Sequence, residues 1–257
     1  MGHIFKNNLT EFYEYILLTP LTKIYSAKKQ TPTDEITDFS NLLIDKFAIH
    51  SLSFFHLSNG IVELKKSNEK IKMTGFDLFT VNSTFRTIME SYAAFNNIYV
   101  EPKSNDEIEF RFLLWKLDGL YDKAKFEINE TDFKDAKKIL DADKVILAET
   151  ILKLETCNFF NSLNKIEINK IYKPDNNRVN WRFIINENGI VKPLKIVNLI
   201  KHTCKTKAFI NNYRYTSTHT HTNYLALEHF KQTRGIPISD NYVNPIIKLA
   251  IYITCLI

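Results

Sequence analysis

The chain has 257 residues, of which 44% are hydrophobic and 25% charged, proportions that exclude a disordered or fibrous protein. Thirty-four Lys and Arg against 29 Asp and Glu leave a net charge of +5 at pH 7 and a pI near 8.9. That excess is spread along the sequence, so it permits a polyanionic partner such as nucleic acid without demanding one. Cys157, Cys204 and Cys255 are too scattered for a disulfide framework and include no C-x-x-C pair, which points to a reducing, cytoplasmic setting. Residues 1–8 lack the basic, then apolar, then small-residue order of a signal peptide.

Apolar spacing predicts the elements in chain order. A helix over residues 9–26 should bend or break at Pro20, whose ring clashes with the preceding turn. A second, over residues 38–63, should turn Phe39, Leu42, Leu43, Phe47, Phe54 and Leu57 inward, with His50 at the boundary of that stripe and His56 off it. Leu78, Val81, Phe85, Ile88, Tyr92, Phe95 and Tyr99 alternate at three and four, which puts them on one seam of the clearest helix in the chain. No proline occurs between Pro102 and Pro174, and that stretch should be helical throughout. One helix carries Ile108, Phe110, Leu113, Leu114, Leu117, Leu120 and Tyr121. Another, over residues 131–165, carries Leu140, Leu147, Ile151 and Leu154.

Residues 173–192 differ in texture. A turn-rich run, Lys173-Pro174-Asp175-Asn176-Asn177, precedes Phe183-Ile184-Ile185 and then Asn188-Gly189, a dipeptide suited to a type I′ hairpin turn or to a helix break. Helices are expected again over residues 194–210 and 220–233, the latter stopping at Gly235-Ile236-Pro237. The last begins near Tyr242. The apolar run 246–257 contains Lys248 and is shorter than the ~20 residues a membrane span requires, so it reads as a buried C-terminal helix. The expected fold is all-α: a single-domain bundle of seven or eight helices, residues 1–257, with 173–192 as a polar insertion. The lysines 65, 66, 70 and 72 are expected in solvated loops.

Several chemistries are excluded by absent motifs. The chain has no phosphate-binding Gly-rich loop followed by Lys-Ser or Lys-Thr, no G-x-G-x-x-G, no G-x-S-x-G and no H-E-x-x-H. Asp141 and Asp143 sit two apart in a helical context and read as a solvated face. The unusual segment is Tyr213-Arg214-Tyr215-Thr216-Ser217-Thr218-His219-Thr220-His221, since three of seven histidines lie between positions 219 and 229. In an extended strand His219 and His221 would point the same way, and with His202 and Cys204 a zinc set can be drawn, at a spacing that fits no standard zinc motif. The alternative is that Thr216, Ser217 or Thr218 caps a helix start.

Arg214 precedes His219 and His221 at spacings that resemble the R-x4-6-H motif of the HEPN superfamily, over about eight residues. HEPN proteins are compact helical bundles, and many are metal-independent ribonucleases of toxin and antiviral defence systems. The resemblance implies that His219 or His221 does acid/base work on the RNA 2′-hydroxyl and leaving oxygen, that Arg214 holds the scissile phosphate, and that no cofactor is needed. Members often carry a small polar residue after the Arg, where this chain has Tyr215. Imidazole titrates near neutrality and guanidinium clamps phosphate with a planar fork, so the residue types suit the chemistry.

Arginine is spent at only six positions: 86, 111, 178, 182, 214 and 234. Arg86 and Glu90 form an i, i+4 pair on the clearest helix, which ordinarily signals an exposed ion pair. An Arg-x-x-x-Glu helix with a distant Ser/Thr-His segment also resembles large uncharacterised bacterial helical families. That resemblance implies convergence of Arg86 and Glu90 with His219 or His221, and makes Arg111 a further candidate. On the ribonuclease reading Arg86, Glu90, Arg111 and Tyr215 hold substrate. Tyr213, Tyr215 and Tyr224 have faces on which bases stack, although packing serves them equally. The competing reading is a non-catalytic helical scaffold or regulatory subunit that docks a protein partner or a second copy through helical surfaces.

Overall fold

The computed structural model describes residues 8–27, 34–59, 61–66, 69–74, 77–125, 136–220, 224–233 and 240–257. The fold is all-α, with twelve α-helices and three two-stranded antiparallel sheets among the described residues. Contacts gather into two compact units, residues 1–95 with 200–257 and residues 96–199.

In the first unit the chain opens with α1 (Leu9–Ile16) and α2 (Thr22–Ala27), joined by a π-helical turn, Leu17–Leu21, that contains Pro20. The wider turn accommodates the proline ring, so the helix bends without ending. Next come α3 (Glu35–Ser58), strands β1 (Ile61–Lys66) and β2 (Glu69–Thr74), and α4 (Leu78–Phe95). Asp77 caps α4 by accepting from the backbone N–H groups of Phe79 at 3.0 Å and Thr80 at 3.1 Å. The apolar seam of α4 is inside, with Leu78, Val81, Phe85, Ile88 and Tyr92 buried, and each such side chain contributes about 1.5–3 kcal/mol. Phe54 of α3 meets Phe85 at 5.5 Å between ring centres.

Two expectations fail in this stretch. Leu42 is 48% exposed, because the inward stripe of α3 runs through Leu43, Phe47, Ala48, Ser51 and Phe54 instead. The helix also stops at Ser58, and lysines 65, 66, 70 and 72 lie in the β1–β2 hairpin, where Lys65 is opposite Lys70 and Glu63 opposite Lys72. The period-two alternation of Lys70-Ile71-Lys72-Met73 is the strand signal.

The unit is completed by the end of α9 (Ile196–Cys204), then α10 (Lys207–His219), α11 (Tyr224–Thr233) and α12 (Asp240–Thr254). The expected helix over 194–210 is broken, since Lys205 adopts a left-handed φ of 54° and Thr206 starts α10 by accepting from Ala208 N–H. Helix α10 then runs through His219, so Thr216 and Thr218 are no caps. Their hydroxyls donate back to the carbonyls of Tyr213 and Arg214, the way mid-helix threonines satisfy themselves. In α12 Ile246, Ile247, Ala250 and Ile253 are buried. No helix among the described residues is long and apolar enough to cross a membrane.

The second unit holds α5 (Asn105–Lys123), α6 (Ala136–Thr156), α7 (Asn158–Ser162), α8 (Lys165–Ile171) and the short strands β3 (Tyr172–Lys173), β4 (Arg178–Val179), β5 (Phe183–Ile185) and β6 (Val191–Pro193). The run expected as one helix over 131–165 breaks at Cys157 and again at Leu163. At the second break Asn164 caps α8 by accepting from Glu167 N–H at 3.0 Å, whereas Cys157, extended at the start of α7, makes no side-chain cap. Strands β5 and β6 form the hairpin expected in the insertion. Its turn differs: only Gly189 has a positive φ, 72°, and Asn186 N–H donates to Ile190 O while Gly189 N–H donates to Asn186 O. This is a three-residue loop with a glycine bulge, for which Asn188 needs no left-handed backbone.

Candidate functional site

Helices α4 and α10 assemble the functional residues of the first unit. Phe79, Arg86 and Glu90 recur at seven and four along α4 and so share a face, as do Tyr213, Ser217 and Thr220 on α10. Glu90 meets Tyr213, Arg86 meets Ser217 and Thr220, and Phe79 meets His219, which makes the two helices antiparallel.

Arg86 Nε donates to Glu90 Oε1 at 2.8 Å, and Nη1 donates to Ser217 Oγ at 3.3 Å and Thr220 Oγ1 at 3.2 Å. The guanidinium lies 5.1 Å from the centre of the Tyr213 ring, a cation–π distance. Tyr213 Oη donates to the same Glu90 oxygen at 2.7 Å. Burial, then the Glu90 hydrogen bond and charge, push the Tyr213 phenol up to about 12, which keeps it a donor at neutral pH. Arg86 keeps 24% of its side-chain surface and Glu90 36%, so the cluster is reachable from solvent.

Beside it, imidazoles and aromatic rings stack. His219 is 2% exposed; its Nδ1 is 2.9 Å from the Tyr215 carbonyl and its Nε2 is 3.1 Å from His229 Nδ1. The two imidazoles lie 5.2 Å apart and 18° from parallel, with Tyr215 at 4.3 Å from His219 and 5.6 Å from His229. Phe79 and Phe230 close the cluster at 5.4 Å from each other. Burial, with the neighbouring His229 charge, lowers the His219 pKa against the opposing hydrogen bond to Tyr215, so His219 is neutral near pH 7.

Arg214 falls outside this arrangement. It is exposed and stands five residues before His219, which on an α-helix separates the two side chains by about 140°. The Arg-His spacing therefore does not converge on one face of α10, and it is Arg86 of α4 that approaches the hydroxyl-bearing side of that helix. Tyr215 lies tilted against both imidazoles, at 49° to His219 and 32° to His229, whereas Tyr224 is 80% exposed. His221 lies outside the described residues. Cys204 is fully buried, and burial pushes its thiol up to about 12. Among the described residues no three His, Cys, Asp or Glu side chains come together as a metal-binding group, so these residues do not assemble the zinc set drawn from the sequence.

Arg111 belongs to the second unit, where it is 1% exposed. Its Nε and Nη2 donate to Glu107 Oε1 at 2.9 and 2.7 Å, and Nη1 donates to Asn97 O, Asn97 Oδ1 and Phe183 O at 3.0, 3.0 and 3.2 Å. The guanidinium also lies 4.5 Å from the Phe183 ring centre. A fork so fully engaged holds the β5 strand to α5, a positioning task. A polar cavity of about 530 Å³ opens beside it, lined in part by Lys103, Ser104, Glu107, Asn164, Glu167 and Asn186.

Three site residues escaped the sequence reading. Ser217 and Thr220 are partners of Arg86 only through a helix pairing more than 130 residues apart in the chain. His229 was missed because α11 is a separate helix that brings it back onto His219. Compared with protein-family models, with curated proteins and with solved structures, the chain matches none.

Proposed function

We propose that the protein binds RNA at the α4–α10–α11 face and cleaves it without a metal, as a cytoplasmic component of a stress or phage-defence system. The observation that carries this reading is the Arg86 fork, held by Glu90 and directed at the Ser217 and Thr220 hydroxyls, on the helix pair that also carries His219, which His229 of α11 approaches. Two hydroxyls are weak acceptors for a guanidinium; a phosphate carries the charge-assisted partner that Arg86 prefers. Tyr213 and Tyr215 supply ring faces nearby, and the excess of 34 basic over 29 acidic residues favours a polyanion. The metal-independent chemistry comes from the HEPN resemblance, with Arg86 in the phosphate-holding role that the motif assigns to Arg214.

The test is binding and cleavage of single-stranded RNA by the wild-type chain and by Arg86→Ala and Arg214→Ala. Arg86→Ala should weaken binding at least tenfold and flatten its salt dependence, with Arg214→Ala much closer to wild type. Equal binding by wild type and Arg86→Ala sinks the reading.

A scaffold reading has its own support. Helix α11 exposes Tyr224, Leu225 and Leu227 at 80%, 49% and 49%, with Ala226 buried between them, an apolar strip of the kind that docks partners. On that reading His219→Ala lowers stability and leaves RNA binding unchanged.

A further inference from the structure

We infer that the second unit carries a phosphomonoester-binding site where α8 runs into the β3–β4 turn, built by Lys173 and Arg178 with the amides of Asn169 and Asn180. The site lies wholly within residues 169–193 and stands independently of the RNA-cleaving reading.

The local sequence dictates the arrangement. Helix α8 ends at Ile171 and passes straight into β3; the chain turns through a 3-10 segment, Pro174–Asn176, and returns as β4. Asn177 closes the turn with a left-handed φ of 47°, a conformation that asparagine tolerates better than most residues. Tyr172 pairs with Val179, and Lys173 with Arg178. Successive strand residues point to opposite faces. Tyr172 and Val179 are buried, so Lys173 and Arg178 stand together on the exposed face. Asn180, two residues past Arg178, shares that side, and its N–H extends the pairing by donating to Ile171 O at 2.7 Å.

Lys173, Arg178 and Asn180, with Asn169, Lys170 and Pro193, line a cavity of about 260 Å³. That is below the ~300–1,000 Å³ of sites for drug-sized ligands, so it suits a phosphate group with a small part of the molecule that bears it. No carboxylate stands among its described lining residues. Lys170 is already matched, since its Nζ donates to both oxygens of Glu167 at 2.7 Å. Lys173 and Arg178 are not: among the described residues neither forms an ion pair, with Asp175 of the connecting turn or with any other acid. Like charges directly opposite each other on a ladder repel, and this ladder is only two residues long. The cavity therefore holds two unmatched positive charges that an anion between them would reconcile.

The donor set selects the anion. Arg178 offers a planar fork for bidentate bonding and Lys173 a compact charge. Asn180 Oδ1 accepts from Arg182 N–H at 3.1 Å, which leaves the amide NH2 to donate, and the Asn169 amide supplies a further donor. A phosphomonoester brings a charge of about −1.5 to −2 at pH 7 and three acceptor oxygens, which balances both cations. A phosphodiester of a nucleic-acid backbone brings a single charge and leaves one cation unmatched.

The test is NMR titration of the isotope-labelled full chain, read at the backbone amides of residues 173–180, with inorganic phosphate, adenosine 5′-monophosphate and adenosine. Both phosphates should shift these amides saturably, and adenosine should not. The Lys173→Gln, Arg178→Gln double variant should bind adenosine 5′-monophosphate at least tenfold more weakly. Its melting temperature without ligand should equal or exceed that of wild type, because the opposed charges are gone, and it should lose the rise that saturating phosphate gives wild type. Arg86→Ala should leave the local shifts unchanged; shifts that it abolishes would belong to the α4–α10–α11 face and overturn the site. Single-stranded RNA with and without a 5′-phosphate identifies the source. Tighter binding of the 5′-phosphorylated strand than of the mononucleotide assigns the group to a nucleic-acid end, and binding of the mononucleotide alone assigns it to a free small molecule. Strands that shift these amides equally with and without the 5′-phosphate overturn the monoester assignment. No response of the wild type to either phosphate, or a response that the double variant keeps, overturns the site itself.

Discussion

Arg111 and Glu107, one turn apart on α5, form an ion pair at 2.7 Å in which the arginine side chain is 1% exposed and the glutamate 7%. The second Glu107 oxygen accepts from Lys103 N–H at 3.0 Å, so the pair ties both β5 and the approach to α5 into one network. Removing one partner leaves a buried charge unmatched, at a cost of about 3–5 kcal/mol. Arg111→Ala should therefore lower unfolding stability by that order in urea titration. The Arg111→Met, Glu107→Leu double variant should recover part of the loss, since no lone charge remains. A double variant no more stable than Arg111→Ala would show that the Asn97 and Phe183 carbonyls, left unsatisfied in both, set the cost.

Phe85 and Leu42 separate a true core position from an apparent one. Phe85 is 0% exposed and Leu42 48%. Phe85→Ala should cost about 3–5 kcal/mol, whereas Leu42→Ala should stay within about 0.5 kcal/mol of wild type. Comparable losses in paired thermal melts would restore Leu42 to the inward stripe.

These residues show what patterning reveals and what it hides. The seam of α4 was legible from Leu78 to Tyr92, where it is buried as a stripe, whereas Phe95 is half-buried and Tyr99 lies in the π-helical turn Asn96–Val100 beyond the helix. The hairpin after Trp181 was only half legible, since Asn188-Gly189 between β-branched runs suits a hairpin or a helix break, and the turn that forms puts Gly189 alone in the left-handed region. Leu42 misled because a 24-residue helix offers two overlapping apolar stripes, and only the neighbours decide which one packs. The breaks at Leu163 and Lys205 are followed by side-chain caps, Asn164 and Thr206, that accept from the next helix's backbone, a choice invisible to hydrophobic spacing. At the site, the Arg86–Glu90 pair could be read from its i, i+4 spacing, but Tyr213, Ser217 and Thr220 reach it only through long-range helix pairing. Arg111 looked like a candidate for substrate because sequence alone does not show a guanidinium sealed beneath a strand.

Lys205 and Gly189 hold left-handed φ angles of 54° and 72°. Glycine takes that conformation without strain and a β-carbon does not. Lys205→Gly should raise stability by about 0.5–1 kcal/mol and Gly189→Ala should lower it by about 1 kcal/mol or more. Opposite signs in the two melts are expected; two losses would mean that the Lys205 stem packs in a way that outweighs its backbone strain.

The three cysteines should differ sharply in reactivity. Cys204 is fully buried with its thiol pushed up to about 12, and Cys157 is 8% exposed and also raised by burial. Cys255 is exposed. A thiol-specific chromogenic reagent at pH 8 should modify one equivalent quickly in the native protein and the other two only on unfolding, because the thiolate is the reacting species. Fast modification of Cys204→Ser that matches wild type excludes Cys204 as the site, and loss of the fast equivalent in Cys255→Ser assigns it to Cys255; a fast equivalent that survives Cys255→Ser contradicts the assignment.

Glu167 makes the acid limb of stability testable. Its Oε2 accepts from Val191 N–H at 2.6 Å, and Lys170 Nζ donates to both carboxylate oxygens at 2.7 Å while also reaching Val191 O at 3.3 Å. The Lys170 hydrogen bond, with the Val191 N–H and the Lys170 charge, holds the Glu167 carboxyl below the usual glutamate range against the opposing effect of burial. A carboxylate whose folded pKa is lowered stabilises the fold at every pH above its unfolded value, about 4.3, and that contribution fades as pH falls through the folded value. Glu167→Gln should therefore be less stable than wild type at pH 7, and the gap should close as pH falls below about 4. Hydrogen exchange at the Val191 amide should report the same loss locally, since that amide anchors β6 to α8. A stability gap that stays constant from pH 7 down to pH 3 would mean that Glu167 acts through packing, and that its charge contributes nothing to holding the hairpin.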